Sequence, residues 1–107
     1  MRGRQFFLAT AFACALPIAQ GKAQEIGQAG RGLESARHLC AECHAVQREA
    51  ARSPNDNAPP FATIASVPGM TATALSAALN TPHRTMPNIM LAADERADII
   101  AYILSLK

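Results

Sequence analysis

The chain has 107 residues, half of them hydrophobic, and a formal net charge of only +2. This length favours a single domain. Alanine is abundant, aromatic residues make up 5%, and few stretches alternate with period two, so composition argues against a β-rich protein and predicts an all-α fold.

The first 23 residues have the pattern of a secretory signal peptide. Two arginines precede an apolar run over residues 6–19, and Gly21 and Ala23 then offer small residues at a cleavage site. The apolar run is short for a transmembrane helix, although an uncleaved anchor remains the alternative. We therefore expect residues 1–23 to direct export to the periplasm, with no stable membrane insertion after cleavage.

Cleavage after Ala23 would leave a domain of 84 residues, 24–107. It would remove three basic residues and no acidic one, which changes the formal charge from +2 to −1 and argues against a nucleic-acid partner. It would also remove Cys14, so that Cys40 and Cys43 are the cysteines that remain. A lipid anchor on Cys14 is a weak alternative, because the apolar run continues beyond it.

The first predicted helix runs from about Gly30 into a C-x-x-C-H motif, Cys40-Ala41-Glu42-Cys43-His44. Helical spacing places Leu33, Ala36, Leu39 and Cys40 on one face of it. C-x-x-C-H is the attachment site of a c-type haem. The two thiols can each add to a vinyl group of one porphyrin, and the adjacent histidine can bind the iron.

Two other uses of paired cysteines are less consistent with this sequence. A structural zinc site requires a second ligand pair, and no cysteine follows Cys43. A thiol-redox site requires a βαβ context, and no strand-like run flanks Cys40. Haem would also supply apolar surface to a small core, so we expect the apoprotein to be poorly folded.

The rest of the chain predicts loops and three further helical segments. Residues 53–60 contain turn signals and consecutive prolines, and a short helical turn is expected over residues 62–65. A helix over residues 71–80 has an apolar stripe made of Ala74, Leu75, Ala78 and Leu79. After a loop at 83–91, a last helix is expected over residues 93–106, with one face made of Ile99, Tyr102, Ile103 and Leu106.

The loop before the last helix offers candidates for a second axial ligand to the iron. Met86 is favoured because it lies in a loop and is followed by Pro87, which restricts the backbone. A thioether ligand raises the reduction potential of haem. Met90 and His83 remain alternatives. Expected walls of the pocket are Phe61, Ile64, Leu75, Leu79, Ile89 and Ile99.

Taken in order, these motifs resemble the class I cytochromes c, small electron carriers with one His/Met-ligated haem. The residues that carry the resemblance are Gly32, Cys40 to His44, Pro59-Pro60-Phe61, Met86-Pro87 and the run 98–102. The resemblance implies a cytochrome c fold of three to five helices around one haem c. It also implies thioethers at Cys40 and Cys43, axial bonds from His44 and Met86, and a hydrogen bond from His44 to the carbonyl of Pro59, or else of Pro60.

In two respects the sequence differs from the family pattern. The aromatic residue expected four positions before the first cysteine is Ala36 here, so either Tyr102 must fill more of the contact between the first and last helices or these helices must approach more closely. The family places Gly32 at this contact, facing Ile99 and Tyr102. After cleavage only Lys107 remains among the lysines. A smaller basic patch could be formed by Arg48, Arg52 and Arg84, unless these are scattered solvated charges.

The resemblance implies a monomeric, non-enzymatic carrier that moves single electrons between a donor and an acceptor. The expected partners are a membrane respiratory complex or a periplasmic dehydrogenase. One alternative is a haem peroxidase or gas-binding protein with a labile sixth ligand. Another is a cytochrome subunit bound permanently to one dehydrogenase.

Overall fold

The computed structural model describes residues 26–81, 83 and 85–107, and within them the protein is helical, with no strand. The predicted signal peptide, residues 1–23, lies outside the described residues. The described residues form four helices: α1 (Ala29–Leu39), α2 (Phe61–Ala65), α3 (Ala72–Asn80) and α4 (Ala93–Leu104). The predicted all-α class is confirmed, and the four predicted helical segments lie within one or two residues of these bounds.

Local sequence explains where the helices begin and end. The Thr71 hydroxyl accepts a hydrogen bond from the Ala74 amide at 3.1 Å, and so caps the N-terminus of α3. Helix α2 follows Pro60, which suits the position before a helix because it has no amide proton to satisfy. Asp94 and Glu95 lie in the first turn of α4, where negative charge opposes the helix dipole.

The C-terminus of α4 is held by an arginine that is distant in sequence. The Arg48 guanidinium donates to the carbonyl oxygens of Ser105 at 2.7 Å and Leu106 at 2.8 Å. Carbonyls at the end of a helix have no partner within the helix. Arg48 therefore satisfies the carbonyl of the C-cap residue and that of the residue after it, and fixes the loop after the C-x-x-C-H motif to the end of α4.

Helices α1 and α4 cross at close range around a glycine. A Cβ atom added to Gly32 would lie 1.9 Å from the carbonyl oxygen of Asp98 and 2.8 Å from Cβ of Tyr102. The predicted contact between Gly32 and Tyr102 is confirmed, while the nearest backbone belongs to Asp98 and not to Ile99. Ala36 is fully buried, so the absence of an aromatic residue there accompanies a close approach of the two helices.

The core lies between the four helices and continues into the loops. Its buried residues are Ala36, Val46, Phe61, Ala65, Leu75, Ile99, Ile100, Tyr102, Ile103 and Leu106. The Tyr102 hydroxyl donates to the carbonyl oxygen of Val46 at 2.6 Å, which satisfies its buried polar end. This hydrogen bond joins the core to the segment that follows the C-x-x-C-H motif.

Candidate functional site

The C-x-x-C-H motif occupies the turn that ends α1. Cys40 is the C-cap of the helix, and its amide donates to Ala36 at 2.9 Å. The His44 amide donates to the Cys40 carbonyl at 2.8 Å, so the backbone makes one more helical turn. Both cysteines are half-buried and free. This turn allows both thiols and the histidine to line one cleft.

The His44 ring is held from behind by the backbone. Its Nδ1 atom lies 2.7 Å from the carbonyl oxygen of Pro59. A carbonyl only accepts hydrogen bonds, so Nδ1 carries the proton and Nε2 is left with a lone pair. The carbonyl of Pro60 is used elsewhere, as the acceptor for the Ile64 amide at 3.1 Å. In the structure, the His44 ring is therefore hydrogen-bonded to the carbonyl of Pro59 and not to that of Pro60.

The loop from residue 45 to residue 61 brings Pro59 to this position. The Phe61 amide donates to Ala45 at 2.9 Å, and the Asn55 amide donates to Cys43 at 3.1 Å. The Ser53 hydroxyl, which is buried, accepts from the Ala45 amide at 2.9 Å. These bonds close the loop on the motif. The Phe61 ring then packs against the His44 ring with centroids 5.3 Å apart.

The cleft beside the motif is partly open to solvent. It contains about 720 Å³ of space when the part open to solvent is included. The predicted site residues that line it are Cys40, Cys43, His44, Met86 and Pro59. A second space of about 390 Å³ adjoins it and shares Cys40, Met86 and Ile89. The main cleft thus brings together all five predicted site residues.

The three candidates for a second axial ligand are not placed alike. Met86 is half-buried and lines both spaces. His83 is exposed and lines both as well. Met90 is 88% exposed and lines neither. Met86 and His83 therefore share the cleft with His44, and Met90 does not.

The environment of Cys40 disfavours thiol-redox chemistry. Burial, and to a smaller extent the Glu95 carboxylate, raise the pKa of the Cys40 thiol to about 11. Reactive thiols in redox sites have lowered pKa values because the thiolate is the nucleophile. The Cys40 thiol is therefore protonated at neutral pH, whereas thiol-redox chemistry requires a thiolate.

The predicted pocket walls divide between the cleft and the core. Leu79 and Ile89 line the adjoining space. Phe61, Leu75 and Ile99 belong to the buried core, and Ile64 packs against it. In the predicted stripe of α3, Leu75 is buried, while Ala74 and Ala78 are exposed, with Ala78 facing the adjoining space. The cleft is thus walled by fewer of the predicted residues than expected.

Several cleft residues were not among the predicted ones. The sequence predicts Leu39 on the apolar face of the first helix, whereas in the structure it is 40% exposed and lines the cleft. A large apolar residue next to the motif was the available signal. Asn55, Asn57 and Thr85 add polar groups to the lining. Nothing in the local sequence distinguishes them from ordinary turn residues.

The predicted basic patch stays a prediction, because part of it lies outside the described residues. Arg48 is engaged with the end of α4. Arg52 is exposed, and Arg84 lies outside the described residues. Within the described part of the chain, no group of three or more His, Cys, Asp or Glu side chains is placed to hold a metal ion. In the same residues, no helix has the length and apolar character needed to cross a membrane.

The donor set at the cleft fits a haem. Two thiols, an imidazole with its Nε2 lone pair unused, and a thioether all line one space. Thiol, imidazole and thioether are the groups that attach and ligate c-type haem. The fold and the site together therefore define a helical haem protein with a C-x-x-C-H attachment motif.

Comparison with known proteins identifies the family. Over 79 residues the chain is 39% identical to cytochrome c-552 of Bradyrhizobium diazoefficiens, a match that covers 74% of this chain and 75% of that protein. No protein-family model and no solved structure matches the chain. The chain belongs to the c-type cytochromes. It is therefore a haem c protein of electron transport.

Proposed function

We propose that the protein is a class I, monohaem cytochrome c that carries single electrons. The observation that supports this is the convergence of Cys40, Cys43, His44 and Met86 on one cleft, with Pro59 behind the histidine. Cys40 and Cys43 would tether one haem by thioethers, and His44 and Met86 would bind its iron. The haem, when bound, supplies the one-electron couple.

The residues of the chain would set the properties of that couple. The carbonyl of Pro59 holds the His44 ring in one orientation and one tautomer, and such a partner raises the basicity of an iron-bound histidine. The Phe61 ring limits rotation of the imidazole from one side. A thioether from Met86 is a soft donor that favours the ferrous state and raises the potential. Two protein ligands leave no open position, which suits a carrier and not an enzyme.

The proposed location is the periplasm, reached through cleavage after Ala23. The protein would act there as a monomer that docks weakly on a respiratory complex or a dehydrogenase, since redox encounters use small interfaces. An N-terminus at Gln24 in the periplasmic fraction, and elution as a single small protein on gel filtration, would support this. A stable complex with a dehydrogenase would favour the subunit alternative.

The ligation is tested by replacing Met86. In Met86→Ala, the weak long-wavelength absorption band of thioether-ligated ferric haem should disappear. The reduction potential should fall, within the roughly 0.8 V that axial ligands span. Met90→Ala is the matched control, because Met90 is exposed and does not line the cleft; it should retain the band. A Met86→Ala protein that keeps the band would refute the assignment.

A further inference from the structure

A second histidine shares the cleft with His44. His83 lines both the main cleft and the adjoining space, as Met86 does. His38, by contrast, lies exposed on α1 and lines neither. Among the described residues that line the cleft, the imidazole donors are thus His44 and His83.

The ring of His83, like that of His44, is hydrogen-bonded to a backbone carbonyl through Nδ1. Its Nδ1 atom lies 2.9 Å from the carbonyl oxygen of Thr81, as that of His44 lies 2.7 Å from Pro59. A carbonyl cannot donate, so Nδ1 of His83 carries the proton and Nε2 keeps a lone pair. A backbone carbonyl on one ring nitrogen is the usual support for a metal-binding histidine.

His83 is also tied to Met86 in one turn of the backbone. The Met86 amide donates to the carbonyl of His83 at 3.1 Å. The described residues of this loop, 81, 83 and 85–91, form no helix or strand, so little regular structure resists a change in their positions. A movement that withdraws the Met86 side chain from the cleft need not withdraw His83.

We propose that His83 is a reserve axial ligand, which binds the haem iron through Nε2 whenever Met86 releases it. This inference rests on the proposed His/Met ligation. It gives the cleft a second way to keep the sixth position closed to outside ligands. Imidazole is the harder donor, and thioether favours ferrous iron, so the replacement should occur in the ferric protein.

The test uses ferric holoprotein and exogenous imidazole as the probe, at neutral pH. In Met86→Ala, His83 should hold the sixth position and give a low-spin, bis-histidine spectrum. The Met86→Ala, His83→Ala double variant should be high-spin. If His83 occupies the position more than about nine-tenths of the time, imidazole should bind the single variant at least roughly tenfold more weakly than the double variant.

The matched control is Met86→Ala, His38→Ala, which removes a histidine that does not line the cleft. It should bind imidazole as weakly as Met86→Ala alone. Should Met86→Ala fail to accumulate, Met86→Leu preserves the apolar volume and serves in the same series. Equal affinity in the single and double variants would overturn the reserve role, and so would a low-spin double variant.

The same spectra separate this inference from the proposed function. Loss of the thioether band in Met86→Ala, together with tight imidazole binding, contradicts only the reserve role of His83. A ferric spectrum that Met86→Ala leaves as in the wild type contradicts the His/Met ligation itself.

Discussion

At the scale of single residues, Asp98 joins the start of α1 to α4. Its carboxylate accepts the Gln28 amide at 2.6 Å and the Arg31 guanidinium at 2.7 and 3.1 Å. Gln28 is the N-cap of α1 and makes no side-chain cap. In a capping box, a carboxylate three residues later satisfies the amide of the N-cap. Here a carboxylate from another helix does so.

These hydrogen bonds make Asp98 a source of pH-dependent stability. The Arg31 side chain and the Gln28 amide hold the pKa of the Asp98 carboxyl below its usual value near 3.8. A carboxyl with a depressed pKa in the folded state stabilises the protein above its unfolded pKa, and this contribution is lost as pH falls through the folded pKa. In chemical denaturation, Asp98→Asn should be less stable than the wild type at neutral pH. The difference should shrink below about pH 4.

The matched control for Asp98 is a second carboxylate paired with an arginine. Glu34 accepts from Arg37 at 2.8 Å on the surface of α1, with the two side chains 62% and 44% exposed. Exposed pairs contribute about 0–1 kcal/mol, so Glu34→Gln should change stability little at any pH. If the difference in unfolding free energy between Asp98→Asn and wild type stayed constant down to strongly acidic pH, the role given to Asp98 would be contradicted.

At the scale of helices, the crossing of α1 and α4 depends on a missing side chain. A Cβ atom added to Gly32 would lie 1.9 Å from the carbonyl oxygen of Asp98 and 2.5 Å from its carbonyl carbon. Backbone atoms cannot move aside as a flexible side chain would. Gly32→Ala should therefore force the helices apart and lower the free energy of unfolding by about 1–3 kcal/mol. Thermal denaturation of the holoprotein would measure this.

Gly30 provides a control on the same helix. A Cβ there would meet nothing within 4 Å, and alanine favours helix over glycine by up to about 1 kcal/mol. Gly30→Ala should therefore be neutral or slightly stabilising. If Gly32→Ala were as stable as Gly30→Ala, the crossing would not need glycine.

The helices could be predicted from sequence because their signals are local. The apolar spacing within residues 74–79 and within residues 99–106 indicates α3 and α4 without reference to the rest of the chain. The motif at Cys40 to His44 identified the site for the same reason, since one short stretch holds three of its groups.

The long-range polar contacts could not be predicted in this way. Asp98 and Arg31 are 67 positions apart, and Arg48 lies 58 positions from Leu106. From the sequence, Arg48 could belong to a basic patch or be a solvated charge, because an isolated arginine carries no sign of its partner. The polar lining of the cleft at Asn55, Asn57 and Thr85 was missed because turn residues and cleft residues have the same composition.

At the scale of the whole molecule, one line of rings connects the cleft to the core. The Phe61 ring contacts His44 at 5.3 Å between centroids and Tyr102 at 6.5 Å. Tyr102 in turn holds Val46 and packs near Gly32. The core therefore begins directly behind the residues proposed to hold the haem. Without a haem, the apolar groups at the cleft, such as Leu39 and Ile89, would face water.

A chain of this size depends strongly on that cofactor surface. A domain of about 80 residues has few kcal/mol of net stability from its own core. We therefore expect a Cys40→Ala, Cys43→Ala protein without haem to lose much of the helical far-UV circular dichroism of the holoprotein. Adding haem to it is the control, because the proposed axial ligands, His44 and Met86, remain in place to bind the iron without thioethers. Recovery of helicity would show that haem, and not the packing of two sulfur atoms, supports the fold; native helicity before haem is added would contradict the prediction.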